Sequence, residues 1–545
     1  MLDCNLVPRV FCVHGARNYA TKTLVGADDV TAWESIASGG VRKDIILHAS
    51  TFHAFIPVSA MLDYIAFLSC LEFALLNSVY QNTILKPKQI ICLENVYLEK
   101  DVMCVLPTGY GKSLIFHLLP MLLFAKFKLL GDLRFSWRSR GLSATVVNSI
   151  VIVVSPLNSL MSDQVSRLSM SGIRSSIINV KEAREGQITY GSEDSDDLET
   201  SAEIDLSHCE EEKLRDGYYQ IVFAHPETLI SSKYGRNLLL SKPYQENVVA
   251  VVIDEAHCIV DWGSDFRQDY RRLGVLCALF PHVPVIAMTA TASHADVKCI
   301  KDSLGLKKCK NVIGNPDRKN IYYKKVFRTG HDVDTIESIL MPIASDLLQQ
   351  KIAYPLTIIY ISLRLCGFAY KLFEHVLGIE QYFPSGATAI PANRLFAQYH
   401  SPQTNQMKEE ILKQLCSGKS TVRVVFATVA IGMGVDIPDI RQVVHVGPPC
   451  TVKEYFQETG RAGRDGRSSF AVLYYNNRDI GKNRVGMQDD MRDFCSSTDL
   501  CLRKLLLKSL DYELDTVHKP LHLCCCVCEN LCKCSTCLHL LMEKL

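Results

Sequence analysis

From about residue 100 to 325 the chain sets short, unbroken apolar runs between stretches of helical period: DVMCVLP, VNSIVIVVSP, YYQIVFAHP, VVAVVIDEAH and VPVIAMTATAS. Each run is rich in Val and Ile and stops at polar or glycine residues. A strand with one wet face alternates apolar and polar positions, whereas a run without alternation is dry on both faces, as in a parallel sheet covered by helices. In such sheets the chemistry sits on loops at the C-terminal strand ends. The stretch NPDRKNIYYKKV then reads as a linker, and a second series follows: YPLTIIYIS, TVRVVFATVA, IRQVVHVGPP and SSFAVLYYN. The pattern predicts an α/β chain with two parallel-sheet lobes in tandem and a cleft between them.

Two segments break this rhythm. Residues 182–212 include the acidic run GSEDSDDLETSAEIDLSHCEEE, which has neither period and reads as a solvated, disordered loop. Residues 1–80 carry no motif and stay unassigned. Their apolar run from Phe55 to Val79 is interrupted by Asp63 and Glu72, so it reads as a buried or amphipathic helix rather than a membrane span. The extreme N-terminus is basic and nearly free of acids, which suits an unstructured leader, with mitochondrial targeting as the alternative.

Composition narrows the partners. A length of 545 residues allows two to four domains, and 48% hydrophobic with 21% charged residues describes a globular protein. Net charge is +1, so no global field recruits nucleic acid, and any such binding must come from local basic patches. Of 22 cysteines, nine lie from Cys495 onward; without a secretory signal these read as thiols or metal ligands rather than disulfides.

The strongest chemical signal is MCVLPTGYGKSLIF, where a strand turns into a helix. Thr108, Gly109 and Gly111 allow close backbone approach, and the helix start turns N–H groups and a positive dipole end toward an anion. Lys112 can reach nucleotide phosphates, and the Ser113 hydroxyl can bind Mg²⁺. Leu106 stands where the longer phosphate-loop pattern has glycine. In VVIDEAH, Asp254 and Glu255 end an apolar strand, where adjacent carboxylates are costly unless something binds them. Asp254 suits the Mg²⁺ shell, and Glu255 suits the base that polarises an attacking water. QETGRAGRDGR adds Arg461 and Arg464 from the second lobe, positive charge for a transferring phosphoryl group.

Together these residues resemble the superfamily 2 helicases of the DEAH-box type, and within them the RecQ family of DNA helicases, from about residue 85 to 532. LKPKQ is similar to the family's adenine-sensing motif, which makes Gln89 the hydrogen-bonding residue. VVSPLNSLMSDQV, AMTATAS, TIIYISLR, YHSPQ and VVFATVAIGMGVDIPDIRQVVHVGPP follow in family order. The resemblance implies coupling roles for His257, Thr289 and Thr291, a DNA contact at Thr428 and a catalytic contribution from Gln457. DEAHCIVDWGSDFRQDYRRLG looks like the family's aromatic-rich loop, with Trp262, Phe266, Arg267 and Tyr270 as DNA contacts. Aromatic faces stack on unpaired bases while arginines hold phosphates, without regard to sequence.

The resemblance further implies two RecA-like lobes, residues 81–317 and 318–480, followed by a small Cys-rich, zinc-binding helical subdomain over 485–540. The family's zinc subdomain has one cysteine at a helix start and three clustered later, so the resemblance implies Cys501, Cys525, Cys528 and Cys532 as a tetrahedral Zn²⁺ site, with Cys495, Cys524 and Cys526 as competing neighbours. The cofactors implied are ATP, Mg²⁺ and Zn²⁺. The partners are single-stranded and forked or duplex DNA, with no membrane. The activity implied is 3′-to-5′ translocation and unwinding in repair, recombination or replication, in the nucleus. An RNA helicase of the same superfamily and a non-catalytic DNA-binding protein with a weakened motor are the alternatives. Lys86 replaces the arginine expected to stack on adenine, Ser264 a histidine of the aromatic-rich loop, and the approach to Cys501 is short. No winged-helix or further DNA-binding domain is expected, so strand separation is less secure than ATP hydrolysis.

Overall fold

The computed structural model describes residues 58–129, 148–156, 158–180, 204–205, 209–261, 268–306, 308–330, 332–418, 420–428, 431, 437–513 and 520–537. Two sheets organise them. The first contains β1 (Val102–Val105), β2 (Ile150–Val154), β3 (Ser175–Val180), β4 (Ile204–Asp205), β5 (Ile221–Ala224), β6 (Val248–Ile253), β7 (Val285–Thr289) and β8 (Lys310–Ile313), in the order β4-β3-β5-β2-β6-β7-β1-β8. The second contains β9 (Ile321–Phe327), β10 (Leu356–Tyr360), β11 (Phe396–Tyr399), β12 (Val424–Ala427), β13 (Ile440–Val446) and β14 (Ser469–Tyr475), in the order β11-β12-β10-β13-β14-β9. All pairings are parallel except β3 with β4. Strands β1, β2, β5, β6 and β12 are buried at every position, the double-sided burial that their unbroken apolar runs imply.

The sequence-based picture needs three corrections here. NPDRKNIYYKKV is not only a linker: Ile321–Phe327 is strand β9, which closes the second sheet beside β14. Its mixed burial is that of an edge strand, which carries too little apolar signal to stand out. The acidic segment is not wholly irregular, because Ile204–Asp205 pairs with β3 and Glu211–Arg215 forms a short helix. Backbone pairing at a sheet edge does not need an apolar pattern. Finally, the first lobe begins before residue 81: the buried helix expected in the N-terminal region is Val58–Leu76, and its Phe67, Cys70, Leu71 and Ala74 lie in that lobe's core beside the helix Lys112–Leu129. The apolar run is thus a core helix, and no helix among the described residues is long and apolar enough to cross a membrane.

The register brings the chemistry together. In β1, β7 and β6, Val105 aligns with Thr289 and Val252 with Ile286, so the loops after these three neighbouring strands leave from one edge of the sheet. The cysteine-rich end packs on β9: Tyr323 lies in one core with Phe494, Leu502 and Leu506. Arg503, buried to 1% exposure, donates to Asp317 at 2.6 Å and to the carbonyls of Arg318 (2.8 Å) and Ile321 (2.6 Å). A buried guanidinium needs such partners, and these tie the segment joining the lobes to the C-terminal subdomain.

Candidate functional site

The loop after β1 is held by its neighbours. Leu106 donates its N–H to the Thr289 carbonyl at 3.1 Å, and its side chain is buried. Gly109 and Gly111 have φ of +79° and +89°, a region that glycine enters without strain. At Gly111 a Cβ would also lie 2.7 Å from Gln89 Nε2, so a side chain there would displace the Gln89 amide. Gln89 is buried; it donates to the Gly111 carbonyl at 2.9 Å and accepts from the Lys86 N–H at 2.7 Å. The residue expected to read adenine therefore also braces the phosphate loop. Lys86 sits 4.7 Å over the Tyr110 ring, and Lys112 donates to the Leu106 carbonyl at 3.0 Å.

Sequence reasoning missed a polar chain behind Ser113. Gln164 Nε2 donates to Ser113 Oγ at 3.3 Å, and its Oε1 accepts from His117 Nε2 at 2.8 Å. His117 Nδ1 in turn accepts from the Tyr80 hydroxyl at 2.7 Å. Burial lowers the pKa of His117 to about 4, so the neutral ring with its proton on Nε2 fits both partners.

Asp254 and Glu255 stand at the end of β6, Glu255 with φ +47°, a strained conformation of the kind found at functional sites. Burial and then the Glu255 charge raise the Asp254 carboxyl to about 7, with Lys112 opposing. Burial alone would raise Glu255 too, but the bond and charge of His257, with Lys112 and Arg461, outweigh it and hold the carboxylate near 2. A half-buried pair of adjacent carboxylates on the cavity wall favours a cation, so Asp254 with the Ser113 hydroxyl fits the oxygen donors that Mg²⁺ takes. From Glu255 a relay runs outward. His257 Nδ1 lies 3.3 Å from the Glu255 carboxylate and 3.0 Å from Thr289 Oγ1. Thr289 Oγ1 donates to the Thr291 carbonyl at 3.1 Å, and Thr291 Oγ1 accepts from Gln457 Nε2 at 3.1 Å. That last bond joins the two lobes.

The second lobe closes the cleft. Thr108, Gly109, Gly111, Lys112, Ser113, Asp254, Glu255, Gln457, Arg461 and Arg464 all line one cavity of about 400 Å³. The Arg464 backbone lies 3.6 Å from where a Gly109 Cβ would stand. Arg318, read only as linker, donates to the carbonyls of Gly460 (3.0 Å), Ala462 (3.0 Å) and Gly463 (2.6 Å), with Thr108 at 3.5 Å. It fastens the loop that carries Arg461 and Arg464. A second tie is the Lys453–Asp296 ion pair at 2.5 Å. Each partner lies in the first turn of a helix whose start is fixed by a capping box, Ser293 with Asp296 and Thr451 with Glu454.

The expected DNA contacts fare differently. Trp262, Phe266 and Arg267 lie outside the described residues, as does Ser264. Tyr270 is corrected: at 0% exposure it packs in the first lobe's core and offers no face to a base. Thr428, half-buried, follows β12 and donates its N–H to the Tyr399 carbonyl at 3.3 Å.

The cysteines are also rearranged. Cys501, Cys524, Cys525 and Cys528 bring their sulfurs within 4.8 Å of one another, whereas Cys532 belongs to a separate group with His522, Cys534 and Cys537. Cys524 takes the place expected of Cys532 because the chain turns into the short helix Cys526–Asn530 directly after Cys525, carrying Cys532 away. The Cys501 sulfur lies 3.6 Å from Cys524 and 3.9 Å from Cys525. Sulfurs about 2.3 Å from a tetrahedral Zn²⁺ stand about 3.8 Å apart, so the four thiols fit that ion. Cys495 is buried in the core, and Cys526 joins neither group.

The chain matches the family model described as DEAD/DEAH box helicase over residues 86–300, and the helicase conserved C-terminal domain over 380–466. It is 27% identical over 471 residues to the ATP-dependent DNA helicase Q1 of Rattus norvegicus, covering 84% of this chain and 64% of that protein. It is 31% identical over 382 residues to the ATP-dependent DNA helicase RecQ of Haemophilus influenzae, covering 69% of this chain and 48% of that one. The chain thus spans less than two thirds of either relative's length. The solved structure of the DEAD-box helicase Mss116 bound to ssRNA and UDP-BeF superposes with a TM-score of 0.52 at 14% identity, covering 84% of each chain, a likeness of fold.

Proposed function

Because the chain belongs to the RecQ-type DEAD/DEAH box helicases, we propose that it is an ATP-dependent 3′-to-5′ DNA helicase. Its substrates are single-stranded and forked DNA. The observation that carries this reading is the shared cleft, in which Lys112, Asp254 and Glu255 of one lobe meet Arg461 and Arg464 of the other. Lys112 and the backbone N–H groups of the loop bind the phosphates, and Glu255, held ionised, orients and deprotonates the attacking water. Asp254 and the Ser113 hydroxyl would hold Mg²⁺, which would supply positive charge toward the phosphate oxygens. Arg461 and Arg464 stabilise the charge that develops in transfer. Because these arginines arrive from the second lobe, hydrolysis depends on closure. The relay from Glu255 through His257, Thr289 and Thr291 to Gln457 carries the state of the water-activating group to the lobe that must move. Trp262, Phe266, Arg267 and Thr428 contact the DNA strand in this reading. Cys501, Cys524, Cys525 and Cys528 hold a structural Zn²⁺. The protein works in the nucleus, in repair, recombination or replication.

The test is ATP hydrolysis by the purified chain with single-stranded DNA, single-stranded RNA or neither. DNA-selective stimulation is expected; equal stimulation by RNA makes the substrate RNA instead, and no hydrolysis under any condition ends the proposal. Lys112→Ala should abolish turnover while DNA still binds.

A further inference from the structure

We infer that the C-terminal segment holds a second metal ion, bound by His522 Nδ1 and the thiolates of Cys532, Cys534 and Cys537. The three sulfurs lie 3.6, 3.3 and 3.4 Å from the same ring nitrogen. Hydrogen bonding does not account for this arrangement. One imidazole nitrogen has either one proton or one lone pair, so it satisfies one thiol and leaves the other two crowded against it. A metal accounts for all three distances. With Zn–S of about 2.3 Å and Zn–N of about 2.0–2.1 Å at tetrahedral angles, each sulfur should stand about 3.5 Å from the nitrogen. The four donor atoms also lie within 4.8 Å of one another, as those of the Cys₄ group do. A Cys₃His set in a small helical segment selects Zn²⁺ over harder cations. Cys534-x-x-Cys537 has the short spacing from which zinc sites are commonly built.

The ligand order along the chain gives the second site a purpose. His522 precedes Cys524, Cys525 and Cys528, while its three sulfur partners follow them. The two sets therefore interleave, and each ion closes a loop that contains ligands of the other. Because metal binding of this kind is also folding free energy, filling the second site orders the backbone on both sides of Cys524–Cys528 and so supports the first. Tyr323 of β9 forms a bridge with Cys525, so the doubly pinned segment is fastened to the edge of the second sheet. The inference does not rest on the helicase reading, since a metal-bound chain with no ATPase activity would still satisfy it.

The experiment is metal analysis of the full chain purified with zinc, beside the variants Cys534→Ser/Cys537→Ser and His522→Ala. About two zinc ions per chain are expected, falling to about one in either variant. A single ion that disappears in these variants would uphold this site and remove the Cys₄ one. Two ions retained by the variants, one ion retained, or no zinc at all would overturn the inference. Should the variants fail to fold, zinc K-edge absorption on the unaltered chain decides: imidazole scattering is expected only if His522 is a ligand, and an all-sulfur spectrum refutes the site.

Discussion

Replacing Arg318 by alanine tests whether the arginine loop must be held against the phosphate loop for turnover. The guanidinium makes three short bonds to the carbonyls of Gly460, Ala462 and Gly463, at 3.0, 3.0 and 2.6 Å. The fourth approach, to Thr108 at 3.5 Å, is too long to count. A hydrogen bond from a charged donor contributes about 1.5–3 kcal/mol. Not all of that sum falls on turnover, because the loop keeps other anchors such as the Gly463 N–H bond to the Ile440 carbonyl at 2.9 Å, leaving about 2–4 kcal/mol. At about 1.36 kcal/mol per tenfold, kcat for DNA-stimulated hydrolysis should fall roughly 30- to 900-fold. The loss belongs in kcat, because the loop carries Arg461 and Arg464, which act on transferring charge, whereas nucleotide binding rests on the first lobe. Arg318→Lys keeps the charge, but one ammonium does not fork across three carbonyls, so an intermediate rate is expected. Steady-state hydrolysis with a thermal melt of each variant makes the measurement. A folded Arg318→Ala protein with kcat within threefold of the unaltered chain, or a loss confined to KM, would refute the reasoning.

Other substitutions probe separate links. Gly111→Ala puts a Cβ 2.7 Å from Gln89 Nε2 at a φ of +89°, so ATP binding measured by titration should drop at least tenfold. A Gly111→Ala protein that binds ATP within threefold of the unaltered chain would show that backbone conformation at this turn is irrelevant. Gln457→Ala removes one neutral bond between the lobes, worth about 1 kcal/mol, so DNA-stimulated kcat should fall about fivefold while basal DNA affinity holds; an unchanged stimulation would disconnect Thr291 from coupling. For Asp296, burial raises the carboxyl, but the Lys453 ammonium and Ser293 outweigh it and hold the folded pKa below the ordinary range. Its stabilisation is therefore complete above the unfolded value of about 3.9 and is lost as pH falls through the lower folded one. Asp296→Asn should melt earlier than the unaltered chain at neutral pH, and the gap should close in acid; a gap that persists in acid contradicts the assignment.

Burial and local spacing decide which of these features show in the sequence. The strands β1, β2, β5, β6 and β7 announce themselves because burial on both faces requires unbroken apolar runs, and every position in them is buried. The residues of the cleft were legible for a related reason. Lys112, Asp254, Glu255 and the arginines sit directly after such strands or in short motifs, and chemistry at a strand end needs a fixed local spacing. Strand β9 was hidden because an edge strand with mixed exposure has no such pattern. Tyr270 shows the same limit inside a motif. Its neighbourhood reads as a base-stacking loop, but whether an aromatic faces a base or the core depends on the turn that follows, and here it faces the core.

What the sequence determined by itself is therefore the local part: which runs become buried strands, which glycines free the phosphate loop, and which residue types gather in each motif. What only the tertiary structure decided is which distant residues meet. Arg318 reaches Gly460, Ala462 and Gly463, Arg503 reaches Asp317, and Gln89 braces Gly111. The nine cysteines from Cys495 onward could be grouped in many ways from their order alone. The helix Cys526–Asn530 turns Cys532 away from Cys501 and toward His522. A ligand is chosen by distance in space, and that distance is set by how the backbone between two residues folds.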